Sequence, residues 1–100
     1  MILPAKILPA ARLDIIGTIT WYNEQQAGLG KRFRNALTET IALIRENPLL
    51  FSERYRTVRI APLKKFPYLV YYLFDEQQQR ILIIAMLHGG RNPEVWKERM

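Results

Sequence analysis

Tyr68-Leu69-Val70-Tyr71-Tyr72-Leu73-Phe74, then Asp75-Glu76-Gln77-Gln78-Gln79, then Arg80-Ile81-Leu82-Ile83-Ile84-Ala85-Met86-Leu87: this stretch decides the fold. Branched and aromatic residues fill both outer runs, which is how strands read, and the short polar segment between them is a turn. Both runs are apolar on both faces. Just upstream, Thr57-Val58-Arg59-Ile60-Ala61 alternates with a period of two, placing Val58 and Ile60 on one face and Thr57, Arg59 and Ala61 on the other. A connector over 62–67 carries Lys64 and Lys65. Three successive strands with short links predict an antiparallel meander.

Working towards the N-terminus, the period changes. Asn47-Pro48 closes a helical segment whose apolar side is Leu29, Phe33, Ala36, Leu37, Ile41 and Ile44. Ala27-Gly28-Leu29-Gly30 separates it from an earlier helix running from Pro9 to about Gln26, with Leu13, Ile15, Ile16, Ile19 and Tyr22 as its expected buried face. The two helices form an antiparallel hairpin. Ile2, Leu3, Ile7 and Leu8 read as a first strand, confined by Pro4 to an edge. Beyond the last strand, 92–100 reads as a short helix with Asn92 as cap and Pro93 at its first position. The order β-α-α-β-β-β predicts an α+β fold: an antiparallel sheet with the N-terminal helical hairpin packed on one face. A single hairpin covers one face only. The other is expected to stay open until the C-terminal tail, a second copy or a partner chain shields it.

One hundred residues predict one domain, residues 1–100. The absence of cysteine excludes a disulfide scaffold, a zinc ribbon and a thiol nucleophile. The longest apolar run, 81–87, falls far short of the ~20 residues that span a bilayer, so no membrane partner is expected. Lys6, Arg12 and Asp14 interrupt any leader-like stretch, which makes the cytoplasm the expected compartment. Fifteen Lys and Arg against nine Asp and Glu give a net charge of +6. That excess suits an acidic protein, nucleic acid or the ribosome surface, and equally a plain solvated exterior.

Little catalytic chemistry is available. His88 and Ser52 are the chain's single histidine and single serine, so no hydrolase triad exists. Gly28-Leu29-Gly30 sits between helices and is no phosphate loop, and no metal-ligand spacing occurs. No cofactor and no metal are expected. What remains is an inventory of Arg59, Tyr68, Tyr71, Tyr72, His88, Arg91 and Trp96. Arginine stabilises phosphorane-like charge and histidine or tyrosine moves a proton, which is a metal-free way to cleave RNA. The same groups serve stacking and phosphate contact, and they serve ordinary structure: a hydrogen-bonded turn histidine, core tyrosines, a tryptophan pinning the tail.

Several segments together, in order and over nearly the whole chain, resemble the RelE/ParE superfamily of toxins from type II toxin–antitoxin systems. They are Pro9-Ala10-Ala11-Arg12-Leu13-Asp14-Ile15-Ile16, Val58-Arg59-Ile60, Phe66-Pro67-Tyr68-Leu69-Val70-Tyr71-Tyr72, and Leu87-His88-Gly89-Gly90-Arg91-Asn92-Pro93-Glu94-Val95-Trp96-Lys97-Glu98-Arg99. The resemblance implies a small basic toxin neutralised by a cognate antitoxin in a hetero-oligomer. RelE-like members cleave mRNA on the ribosome, whereas ParE-like members inhibit DNA gyrase by binding. Arg59 and Arg91 stand where RelE-like nucleases carry basic residues. Tyr68 replaces their arginine and Trp96 their tail proton-transfer group, and an indole is no general base. The Leu87–Pro93 ending is similar to ParE-type sequences. The implied function is a ParE-like gyrase inhibitor that catalyses nothing itself, with Arg59, Tyr68, Tyr71, His88, Arg91 and Trp96 as target- or antitoxin-binding residues. The alternative is a RelE-like endoribonuclease acting on the ribosome and mRNA through Arg59, His88 and Arg91.

Overall fold

The computed structural model describes residues 2–90. Seven elements follow one another: β1 (Ala5–Ile7), α1 (Pro9–Gln25), α2 (Leu29–Glu46), β2 (Glu53–Tyr55), β3 (Val58–Pro62), β4 (Tyr68–Asp75) and β5 (Arg80–His88). They build one five-stranded sheet in the order β1-β5-β4-β3-β2. The expected meander β3-β4-β5 is present and antiparallel. The expected tail helix starting at Asn92 lies outside the described residues.

The sheet departs from the sequence reading in two ways. It is mixed, because β1 pairs parallel with β5 (Ala5 with Ile81, Ile7 with Ile83). The whole helical hairpin intervenes between β1 and the meander, and a connection that long lets the chain cross over and return in the same direction. In addition, Glu53-Arg54-Tyr55 forms the short edge strand β2 against β3. Its residues show no apolar alternation, so nothing in the pattern announces it.

The β4–β5 hairpin holds a bulge. Tyr71 faces Ala85 and Tyr72 faces Ile83, which leaves Ile84 as the extra residue. The bulge switches the alternation of β5, so Ile81, Ile83 and Met86 all join the core beneath the helices. Asp75 holds the turn, its carboxylate accepting the Gln78 N–H at 3.2 Å and pairing with Arg80 Nε at 3.2 Å.

α2 packs as its periodicity predicts, with Phe33, Leu37 and Ile44 buried against Val70, Tyr72, Ile81 and Ile83. Gly28, at φ 86°, makes the left-handed turn into it. Asn23 of α1 then caps it, its Oδ1 accepting the Gly30 N–H at 2.9 Å. At the other end Arg45 Nε donates to the Leu3 carbonyl at 2.7 Å and Leu3 N–H returns a bond to the Arg45 carbonyl at 3.0 Å, tying the chain's start to α2. Tyr72 holds the following loop, its hydroxyl donating to the Pro48 carbonyl at 2.9 Å.

One expectation about packing needs correction. On α1, Ala11 and Ile15 are buried and Ile19 and Tyr22 half-buried, but Leu13 and Ile16 face outward. A helix period places Leu13 and Ile16 too far round from Ala11 and Ile15 to share their contact with the sheet. The second sheet face, expected to need a cover from the tail, a second copy or a partner, is shielded within the single chain. Val58, Tyr71, Ile84, Ala85 and Leu87 are buried there, behind a half-buried rim of Leu8, Tyr55, Ile60, Leu69 and Leu73.

Candidate functional site

The end of the sheet where β4 begins and β5 finishes carries the densest polar and aromatic chemistry. Tyr68 and His88 are register partners there. Their rings meet edge to face, with centroids 5.3 Å apart. Gly89 N–H donates to the Pro67 carbonyl at 2.8 Å, closing the end of the hairpin, and Gly90 N–H donates to His88 Nδ1 at 3.0 Å, holding the imidazole. With Nδ1 accepting, the neutral ring carries its proton on Nε2.

α1 forms the other wall. β1 ends at Ile7, so the edge of β5 loses its strand partner beyond Ile83. Asp14 takes over, its Oδ2 accepting the Met86 N–H at 3.2 Å. Thr18 Oγ1 donates to the Asp14 carbonyl at 2.8 Å. The result is a groove of about 290 Å3 running from Leu13 and Gly17 to Trp21 on one side and along Met86, Leu87 and His88 on the other, with Tyr68 at its edge. A Cβ at Gly17 would meet nothing within 4 Å, so this wall is open to an incoming surface. Leu13, Ile16 and Trp21 are 71%, 54% and 52% exposed, an unusual concentration of large apolar groups on one helix.

Behind the groove an unbroken aromatic series links Trp21 to His88. Trp21 abuts Tyr22 at 5.1 Å, Tyr22 stacks on Phe33 at 5.4 Å, and Phe33 meets Tyr68 at 5.4 Å. Phe66 wedges against both Tyr22 and Phe33. Burial, with the neighbouring Tyr68 adding to it, pushes the Tyr22 phenol above its ordinary value.

Of the residues singled out from the sequence, the structure brings Tyr68 and His88 together. Arg59 is elsewhere. It pairs with Tyr72, four residues along β4 from Tyr68 and so about 13 Å away along that strand. Its Nη1 donates to the Phe51 carbonyl at 2.7 Å, holding the loop before β2. Tyr71 lies on the opposite sheet face, where burial raises its pKa. Arg91 and Trp96 lie outside the described residues. The sequence reading passed over Asp14, Gly17, Thr18 and Trp21. The one available signal is the spacing of Leu13, Gly17 and Trp21, every fourth residue along a single helical line.

A family model described as the ParE toxin of type II toxin–antitoxin system, parDE, matches residues 5–93. The chain belongs to the ParE toxin family. Both described helices and all five described strands of this ParE-family chain fall within the match. No curated protein sequence matches it. Among solved structures, a chain of the chromosomal ParDE toxin–antitoxin system from P. aeruginosa is similar at TM-score 0.74 and 12% identity, covering 87% of this chain and 96% of that one. A chain of the RelBE2 toxin–antitoxin complex from Mycobacterium tuberculosis is similar at TM-score 0.64 and 16% identity, covering 88% and 92%. At such identities the likeness is one of fold: the ParE-family chain shares its architecture with components of both systems.

Proposed function

We propose that this ParE-family chain is a toxin that arrests growth by binding DNA gyrase in the cytoplasm, without catalysing a reaction, and that a cognate antitoxin neutralises it by occupying the α1 groove. The observation that carries the binding role is the outward face of α1, where Leu13, Ile16 and Trp21 stand exposed beside a groove ending at His88. Burying such side chains against a partner removes apolar surface from water at about 25 cal/mol per Å2. Tyr68 and His88 supply orienting polar groups at the groove's end, and the net charge of +6 favours an acidic antitoxin. Arg91 and Trp96, outside the described residues, are carried into the proposed binding role from the sequence alone.

A supercoiling assay with purified gyrase tests the target. Inhibition that rises to saturation with added toxin is expected, and none at saturating toxin defeats the proposal. The Tyr68–His88 pair, two proton-moving groups in contact, favours ribosome-dependent mRNA cleavage as a second reading. Primer extension on translated mRNA decides it, through the presence or absence of new ends within the codon at the ribosomal A site. Arg59, bonded to Phe51, would have to leave that carbonyl to reach an RNA phosphate.

A further inference from the structure

The arginines that serve structure have partners. Arg45 is bonded to the Leu3 carbonyl, Arg59 to the Phe51 carbonyl and Arg80 to Asp75. A second group of cations does not follow this pattern. Lys31, Arg32 and Arg34 project from the first turns of α2, and Lys64 and Lys65 from the loop between β3 and β4; all five are exposed. Among the described residues the Arg80–Asp75 contact is the only ion pair, so none of the five is neutralised there.

The fold gathers these charges. Arg32 and Asn35 of α2 face Lys64 and Lys65 across a groove of about 600 Å3 floored by Ala36 and Phe66, with Glu39 as its single acidic neighbour. Lys31 and Arg34 line the other flank of α2, beside Asn23. The positive end of the α2 dipole adds to the same field. Lys65 is moreover held at φ 67°, a left-handed conformation that a lysine adopts only under constraint. Clustered like charges repel one another, and nothing in the core recovers that cost. The groove shares no lining residue with the one at His88.

We propose that this wall, Lys31, Arg32 and Arg34 with Lys64 and Lys65, binds the phosphate backbone of duplex DNA, so that the toxin grips the nucleic acid held by its target as well as the target itself. Lysine, arginine, asparagine and helix N-termini are the groups that contact phosphates without reading sequence, and all four are present. A duplex offers one negative charge per ~1.7 Å of its axis, a density suited to five cations spread over two flanks of a helix. The choice of DNA rests on the gyrase reading, since the substrate of that enzyme is duplex DNA.

The test is fluorescence anisotropy of a random-sequence duplex of about 20 bp with the full chain and no gyrase, across a series of salt concentrations. Five phosphate contacts predict a slope of log affinity against log salt of about −4.5. The triple variant Arg32→Gln, Lys64→Gln, Lys65→Asn should lose about tenfold or more in low-salt affinity and reduce the slope by about 2.7. Asparagine tolerates the left-handed backbone at 65, and an unchanged thermal melt verifies the fold. A charge-matched control, Lys6→Gln, Arg12→Gln, Arg54→Gln, should bind nearly as the parent does. Equal losses in both triples overturn the inference, because total charge and not this wall is then responsible. Tighter binding to an RNA hairpin of equal charge also overturns it. A supercoiling assay run in parallel separates the two proposals. Gyrase inhibition without duplex binding defeats the wall alone, while wall-dependent duplex binding without gyrase inhibition supports the wall and defeats the proposed target.

Discussion

The two helices have nearly the same length and opposite characters. α2 has its large core side chains, Phe33, Leu37 and Ile44, on one buried stripe and charges elsewhere, as an amphipathic helix on a sheet should. α1 has apolar residues all round. Ala11 and Ile15 are buried beneath it, and Leu13, Ile16 and Trp21 stand in solvent. The difference separates two tasks. α2 gains its stability inside the chain and turns a mostly charged and polar side outward, with Leu43 its one exposed large apolar residue. α1 packs one side inside the chain and leaves large apolar side chains in solvent, as the interface helix proposed above would.

The sharpest way to break this contrast is to truncate both helices. Phe33→Ala empties the centre of the aromatic series and removes a ring that is fully buried. A loss of about 3–5 kcal/mol is expected, which for a chain of this size risks the folded state altogether. Denaturant melts will show it as a lower midpoint. A loss under about 1 kcal/mol would mean that α2 is not the scaffold.

A smaller effect tests the contact by which α1 does serve the fold. Asp14→Ala takes the acceptor from the Met86 N–H on the unpaired edge of β5. Leaving a part-buried donor unsatisfied costs about 1–3 kcal/mol. Amide exchange at Met86 should accelerate as well, localising the damage to the floor of the groove.

How far a sequence discloses such a molecule depends on which signals are local. The β3-β4-β5 meander could be read because Val58, Ile60 and the branched and aromatic runs after Pro67 carry their own pairing preference. α2 could be read because one period accounts for all its buried positions. β2 could not, since Glu53-Arg54-Tyr55 is a strand only by virtue of its neighbour β3. The direction of β1 escaped for the same reason. The face of α1 was misjudged because apolar residues occur on several sides of the helix, and only the strict period through Ala11 and Ile15 separates the buried side from Leu13 and Ile16. Of the candidate site, strand order put Tyr68 and His88 on neighbouring strands, but only the bulge at Ile84 brings them opposite each other, and Asp14 and Trp21 join them only because α1 packs beside the end of β5.

Next in size is Tyr72→Phe, which frees the loop after α2 by deleting the hydroxyl bonded to the Pro48 carbonyl. About 1 kcal/mol is expected. Burial raises the Tyr72 pKa above its ordinary 10.0, with the Arg59 charge pulling the other way. The folded chain therefore favours the neutral phenol. That stabilisation is complete below the unfolded value of 10.0 and is lost as pH rises through the higher folded value. Melts compared at neutral pH and above pH 10 should show the parent weakening in alkali and the variant weakening less.

The smallest change in stability should come from Trp21→Ala combined with Leu13→Ala, and this is the most informative result. Both side chains are more than half exposed, so their removal from the isolated chain should alter its stability by no more than about 0.5 kcal/mol. In a complex they would form the centre of a buried patch, where truncation of aromatic anchors costs 2 kcal/mol or more, about thirtyfold in affinity. The double variant should therefore melt like the parent yet escape an antitoxin that holds the parent. A variant that loses stability would place these residues with the core of α2, and the division between the two helices would fail. One that keeps both its stability and its antitoxin would leave α1 with no reason for its outward face.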